Sequence, residues 1–96
     1  MKTLLLILGI TSILAAADGA ALFNKCTACH GSNAEKHALG KSKVIKDMSQ
    51  KEIATALSGY QDGSYGGAMK ALMKGQVAAL TPQDIQILSQ YISAKQ

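Results

Sequence analysis

Cys26 and Cys29 are separated by two residues and followed at once by His30, so Cys26-Thr27-Ala28-Cys29-His30 sets two thiols beside one imidazole. That spacing is the pattern of haem c attachment. Each thiol would add across a vinyl group of the porphyrin to form a thioether. The adjacent imidazole would then lie under the ring, where a nitrogen reaches the iron. The chemistry would belong to the porphyrin, and the polypeptide would bind, orient and tune it. No other cysteine is present in the 96 residues.

A second axial ligand is required if the iron is to pass electrons without binding a substrate. A thioether sulfur favours the ferrous state. Downstream of His30 the methionines are Met48, Met69 and Met73. Met48 precedes a helix start and reads as a core or surface residue. Met69 and Met73 are four apart, which places them on one helix face. One of them ligates while the other packs against the ring. Tyr60 and Tyr65 read as haem-pocket residues, their hydroxyls bonding a propionate or the backbone.

Competing chemistry is weaker. His37 stands seven residues from His30, so a bis-histidine haem would need the connecting loop to carry it around to the opposite face. Cys26, Cys29, His30 and His37 also admit a zinc reading, but adjacent Cys29 and His30 are awkward as two ligands of one tetrahedral ion. A thioredoxin-like pair needs a βαβ context, and no convincing strand is legible. A gas-binding or sensor protein with a displaceable methionine would need polar distal groups, and none is clearly placed. No residue is assigned a catalytic role.

These residues need elements to position them, and the pattern is all-α. Asp18 is a plausible N-cap for a helix over about 19–28, with Leu22, Phe23 and Cys26 on one face. Ser49-Gln50-Lys51-Glu52 forms a capping box, opening a helix with Ile53, Ala56 and Leu57 that stops at Gly59. A third helix covers about 68–74, with Gly75 as its C′ residue. Thr81-Pro82 is an N-cap followed by proline at N1. The helix it opens runs to about Lys95, with Ile85, Leu88, Tyr91 and Ile92 as its apolar stripe. Residues 31–48 are polar and lysine-rich and read as a solvated connection. Residues 59–67 hold four glycines and two tyrosines, which permits positive φ and close approach to something flat or bulky.

The first residues are read differently. Met1-Lys2-Thr3 is a short basic start, residues 4–14 are an apolar run, and Ala15-Ala16-Ala17 offers small residues for cleavage. This is a secretory signal peptide, and its apolar run falls short of the ~18 residues of a membrane span. The expected division is a signal peptide at 1–17 and one domain at 18–96, exported to the periplasm. Without Lys2 the domain has nine lysines against six acids and no arginine. Dispersed lysines in an exported chain give no support to nucleic-acid binding. A domain this small usually needs a staple. With one phenylalanine and no tryptophan, a covalently bound haem suits its core.

The chain resembles the class I c-type cytochromes, and more narrowly the small monohaem bacterial cytochrome c-553 group. The matching stretches are Asp18-Gly19-Ala20-Ala21-Leu22, Cys26 to Gly31, Gly59-Tyr60, Asp62-Gly63-Ser64-Tyr65-Gly66-Gly67, Lys70-Ala71 and Met73, with a final helix ending near Tyr91. The resemblance implies a small class I cytochrome c fold, about four short helices around one covalently bound haem c. It places the axial methionine at Met73, with Met69 the alternative. It also implies contact between first and last helices, Gly19 and Phe23 facing Leu88 and Tyr91. Many relatives have a proline in the loop after the haem motif, in the region that supplies an acceptor for the second nitrogen of the histidine. Here Ser42-Lys43-Val44-Ile45 stands in its place. The implied activity is one-electron transfer between respiratory or dehydrogenase partners, by a soluble monomer able to dock to membrane-bound complexes. Lys25, Lys70 and Lys74 flank the ligand segments, where they would steer redox partners with acidic docking surfaces.

Overall fold

The computed structural model describes residues 19–40 and 43–95. The signal-peptide reading and the Asp18 cap fall outside these residues. Among the described residues five α-helical segments are formed: α1 over residues 19–23, α2 at Thr27–His30, α3 at Gln50–Asp62, α4 at Lys70–Val77 and α5 at Pro82–Ser93. A 3-10 turn, Asn24–Cys26, joins α1 to α2, so the two make up the one first helix expected from the sequence. Two further 3-10 turns lie at Ala38–Gly40 and Ile45–Asp47. Among the described residues there is no strand, only an isolated antiparallel bridge between His37 and Val44. The all-α class is thus observed.

Both long helices begin where side chains satisfy the orphan amides. Ser49 Oγ accepts from the Glu52 amide at 3.1 Å, and Glu52 Oε1 accepts from the Ser49 amide at 2.9 Å. Thr81 and Asp84 repeat the exchange at the start of α5, both bonds 3.0 Å, with Pro82 in the first turn. Each reciprocal pair removes two unpaired donors from a helix start.

Helix ends depart from expectation. The first helix runs past Ala28 to His30, and Gly31, at φ 88°, terminates it with its amide on the Thr27 carbonyl at 2.8 Å. Helix α3 continues through Gly59 to Asp62 and closes at Gly63, in the left-handed region at φ 84°. Gly59 serves a different need: a Cβ there would lie 2.5 Å from the Tyr65 Cβ. Helix α4 likewise runs through Gly75 to Val77. Its last carbonyl is capped from another helix: the Gln61 amide donates to Val77 O at 2.9 Å, and also to Leu80 O, three residues beyond the helix, at 2.7 Å. The last helix ends at Ser93, short of Lys95.

The core joins α1, α3, α4 and α5. Phe23, Ile53, Leu57, Val77, Leu80, Ile85, Leu88 and Ile92 are buried together. The implied crossing of first and last helices is present: the Phe23 and Tyr91 rings stand 5.7 Å apart. A Cβ on Gly19 would come within 3.1 Å of the Tyr91 side chain, so the bare backbone there suits the close crossing. Lys95 Nζ covers the Tyr91 ring at 4.5 Å.

The 31–48 connection is not merely solvated. Ala34 is fully buried and held at φ 58°, a conformation that costs an L-residue about 1–2 kcal/mol. Its amide donates to Gly31 O at 3.0 Å, and its carbonyl accepts from the Lys46 amide at 3.1 Å. Ile45 and Met48 pack on the core.

Substituting Gly59→Ala should destabilise the haem-loaded protein by about 1–3 kcal/mol, the usual cost of overpacking. Chemical denaturation measures it, and an unchanged midpoint would show that the Tyr65 approach is not tight.

Candidate functional site

A cavity of about 680 Å³ opens between the first helix, α3, α4 and α5, within the range of small-molecule and cofactor sites. Part of its wall is the core itself: Ile53, Leu57, Val77, Leu80, Leu88 and Ile92 are buried residues that also face this space. Cys26, Cys29 and His30 face it from the first helix, and Met69 and Met73 from the α4 side. Tyr60 and Tyr65 line it at the end of α3 and in the loop that follows. The candidate residues named from the sequence are therefore brought to one site, while His37 is exposed on the bridged loop and is not part of the wall.

Local structure explains the placement. The 3-10 turn at Asn24–Cys26 is stapled by the Thr27 hydroxyl, which donates to Asn24 O at 2.8 Å. One α-helical turn then carries Ala28, Cys29 and His30, so the imidazole follows the second thiol with no loop between them. Both cysteines are free thiols. Burial raises the Cys26 thiol above its ordinary range, opposed by neighbouring Lys25 and reinforced by Cys29. The buried His30 ring is shifted below its usual value by loss of solvation. A neutral imidazole is the form that ligates a metal. Its Nδ1 is buried without a hydrogen-bond partner among the described residues, so the acceptor expected for the second nitrogen is not found there.

The two methionines differ in support. Met73 is half-buried on α4 and packs against the core. Met69 is the N-cap residue of the same helix, with φ −100° and ψ 19°. The Met73 amide donates to the Met69 carbonyl at 3.1 Å, so the two thioethers are one turn apart on the same wall.

The glycine-tyrosine loop accommodates its own rings. Tyr60 and Tyr65 meet edge to face at 5.1 Å and 85°. A Cβ at Gly66, where φ is 117°, would stand 2.7 Å from the Tyr60 ring, as one at Gly59 would meet Tyr65. The flat groups that need bare backbone are thus the two tyrosines. Burial, with Tyr65 beside it, raises the Tyr60 phenol above its usual range, so at neutral pH it is a neutral donor.

Sequence reasoning did not place Met48, Lys43, Leu72 or Gln76 on this wall. Leu72 is 45% exposed, and its position one residue before Met73 was the available signal. Among the described residues no three His, Cys, Asp or Glu side chains converge to hold a metal ion, against the zinc reading. Two thiols, a buried imidazole with an unpaired nitrogen, thioethers on the far wall and an apolar cavity fit a covalently held haem.

Comparison with known proteins agrees. Residues 16–95 match the family model described as cytochrome c. The chain is 37% identical to cytochrome c-553 of Nitratidesulfovibrio vulgaris (strain DSM 19637 / Miyazaki F) over 100 residues, covering 97% of this chain and 98% of the relative. Cytochrome c-553 of Helicobacter pylori (strain J99 / ATCC 700824) is 39% identical over 95 residues, 96% of each chain. Cytochrome c-554(547) of Halothiobacillus neapolitanus is 31% identical over 87 residues, 81% of this chain and 93% of that protein. With the helices, the cavity and the Cys26–His30 motif already in place, this match shows that the chain belongs to the cytochrome c family, as a small all-α class I c-type cytochrome with covalently bound haem c.

Proposed function

We propose that this chain is a periplasmic one-electron carrier, exported behind a signal peptide at residues 1–17 and working as a domain over 18–96. Cys26 and Cys29 would hold the haem as thioethers, and His30 and Met73 would ligate its iron. When bound, the haem supplies a single iron that cycles between ferric and ferrous. The observation that carries this reading is the convergence of Cys26, Cys29, His30 and Met73 on one apolar cavity.

The protein's own part is to hold that site rigid. Neutral His30 offers a lone pair without first losing a proton. The packing of Met73 on the core supports it over Met69, because a ligand held in both oxidation states needs little rearrangement on electron transfer. Tyr60 and Tyr65 serve the pocket as packing surface, with Tyr60 a neutral donor. Among the described residues no helix is long and apolar enough to cross a membrane. Docking is brief and small, below about 1,200 Å², and partners with acidic faces are guided by Lys25, Lys70 and Lys74. All three lysines belong to the segments that present the site, and Lys25 lies on the cavity wall itself. Leu72 offers an apolar contact at the same mouth.

Two experiments test the reading. Met73→Ala should abolish the ferric sulfur-to-iron charge-transfer band while Met69→Ala retains it; the opposite pattern would move the ligand to Met69. Carbon monoxide should bind the native ferrous protein slowly and incompletely, because both axial positions are taken. Rapid, complete binding would replace the carrier reading with that of a gas-binding protein.

A further inference from the structure

Helix α4 carries Met73, yet little in its own sequence holds it in place. It has eight residues, too few for a helix to persist alone in water. No side chain caps its start, and its first turn has Lys70 but no acid to meet the helix dipole. Gly75 lies inside it where a Cβ would meet nothing within 4 Å, so this glycine weakens the helix without serving a close approach. Of its residues only Val77 is buried, and α3 is its main helical neighbour.

A single side chain of α3 supplies the missing hold. The Gln61 amide nitrogen has two hydrogens to donate, and its two acceptors are Val77 O at 2.9 Å and Leu80 O at 2.7 Å. The Leu80 amide also donates to Val77 O, at 3.0 Å, so Gln61 grips both ends of one closed turn. Val77 and Leu80 are buried and face the cavity, and Val77 follows Met73 by one helical turn on the same face. Asp62, bonded first to Ser64, also feels the charges of Lys74 and Lys70, but it is exposed, where such a tie is weak and screened by salt. We propose that Gln61 is a positioning residue for the Met73 ligand, a latch that sets how often α4 opens and the methionine sulfur leaves the iron. The inference rests on Met73 as the axial ligand proposed above.

The test is the rate at which the matured ferric protein takes up saturating cyanide, followed as loss of the sulfur-to-iron charge-transfer band. Cyanide reaches the iron only once the sulfur has left, so this rate reports the opening. Gln61→Leu, which removes both donors, should raise it about tenfold, the order expected when two neutral hydrogen bonds are lost. Gln61→Glu has the same shape but no proton to donate when ionised, and should raise it at least as much. Ser49→Ala removes the cap at the far end of α3. It should lower the denaturation midpoint of the whole protein and leave the cyanide rate native, which separates a latch from general stability. The Gln61→Leu increase should persist in an Asp62→Asn background. If Gln61→Leu does not mature, the same comparison is made in a Gly75→Ala background, where α4 is strengthened. A native rate in Gln61→Leu, an equal increase in Ser49→Ala, or loss of the increase in Asp62→Asn would overturn the proposal. The Met73→Ala spectrum separates the two readings. A band lost in Met73→Ala with a native rate in Gln61→Leu refutes the latch alone. A band retained in Met73→Ala refutes the ligand assignment and the latch with it.

Discussion

Burial of apolar side chains around a covalently held macrocycle is the constraint on which this structure depends. The chain has one phenylalanine and no tryptophan, so its helices have little aromatic bulk with which to fill a core. Ile53, Leu57, Val77, Leu80, Leu88 and Ile92 are at once the buried core and the wall of the haem cavity. The side chains that join α3, α4 and α5 are thus the ones that would face a bound porphyrin. A small domain gains from such a body what a larger one gains from its own interior.

The electrostatics follow from the same burial. Loss of solvation holds His30 neutral and keeps the Tyr60 phenol protonated, so the wall has few mobile charges of its own. Its cations sit at the boundary with water, where Lys25 and Lys43 reach the cavity from two different segments. A largely apolar wall with its lysines at the rim suits a carrier, because the site changes by one electron while its surroundings stay fixed. Association is then governed by the rim, where long-range attraction acts on the encounter rate more than on the affinity.

Much of this was legible in local sequence. Ser49 to Glu52 and Thr81-Pro82 announced the starts of α3 and α5 because a cap is a short-range device, complete within four residues. The Cys26–His30 motif announced the haem for the same reason. Glycines were ambiguous, since a bare Cα serves equally to end a helix or to admit a neighbour. Gly59 and Gly75 could each end a helix in sequence, yet α3 passes the first, where Tyr65 packs closely, and α4 passes the second to Val77, whose carbonyl Gln61 caps. Ala34 gave no signal, being an alanine among polar residues whose burial depends on backbone bonds to Gly31 and Lys46. Met69 and Met73 share a helical face in sequence, and only packing against the core separates them. Lys43 looked like one lysine of a solvated run until the fold turned its segment toward the cavity.

The central claim is that one covalently attached haem, closed on both faces by side chains of this chain, exchanges a single electron. An optical redox titration of the matured protein tests it most directly. The account predicts one Nernstian step of one electron, with low-spin haem spectra in both the ferric and ferrous forms. A high-spin spectrum in the ferrous form, or the absence of any haem transition, would contradict it.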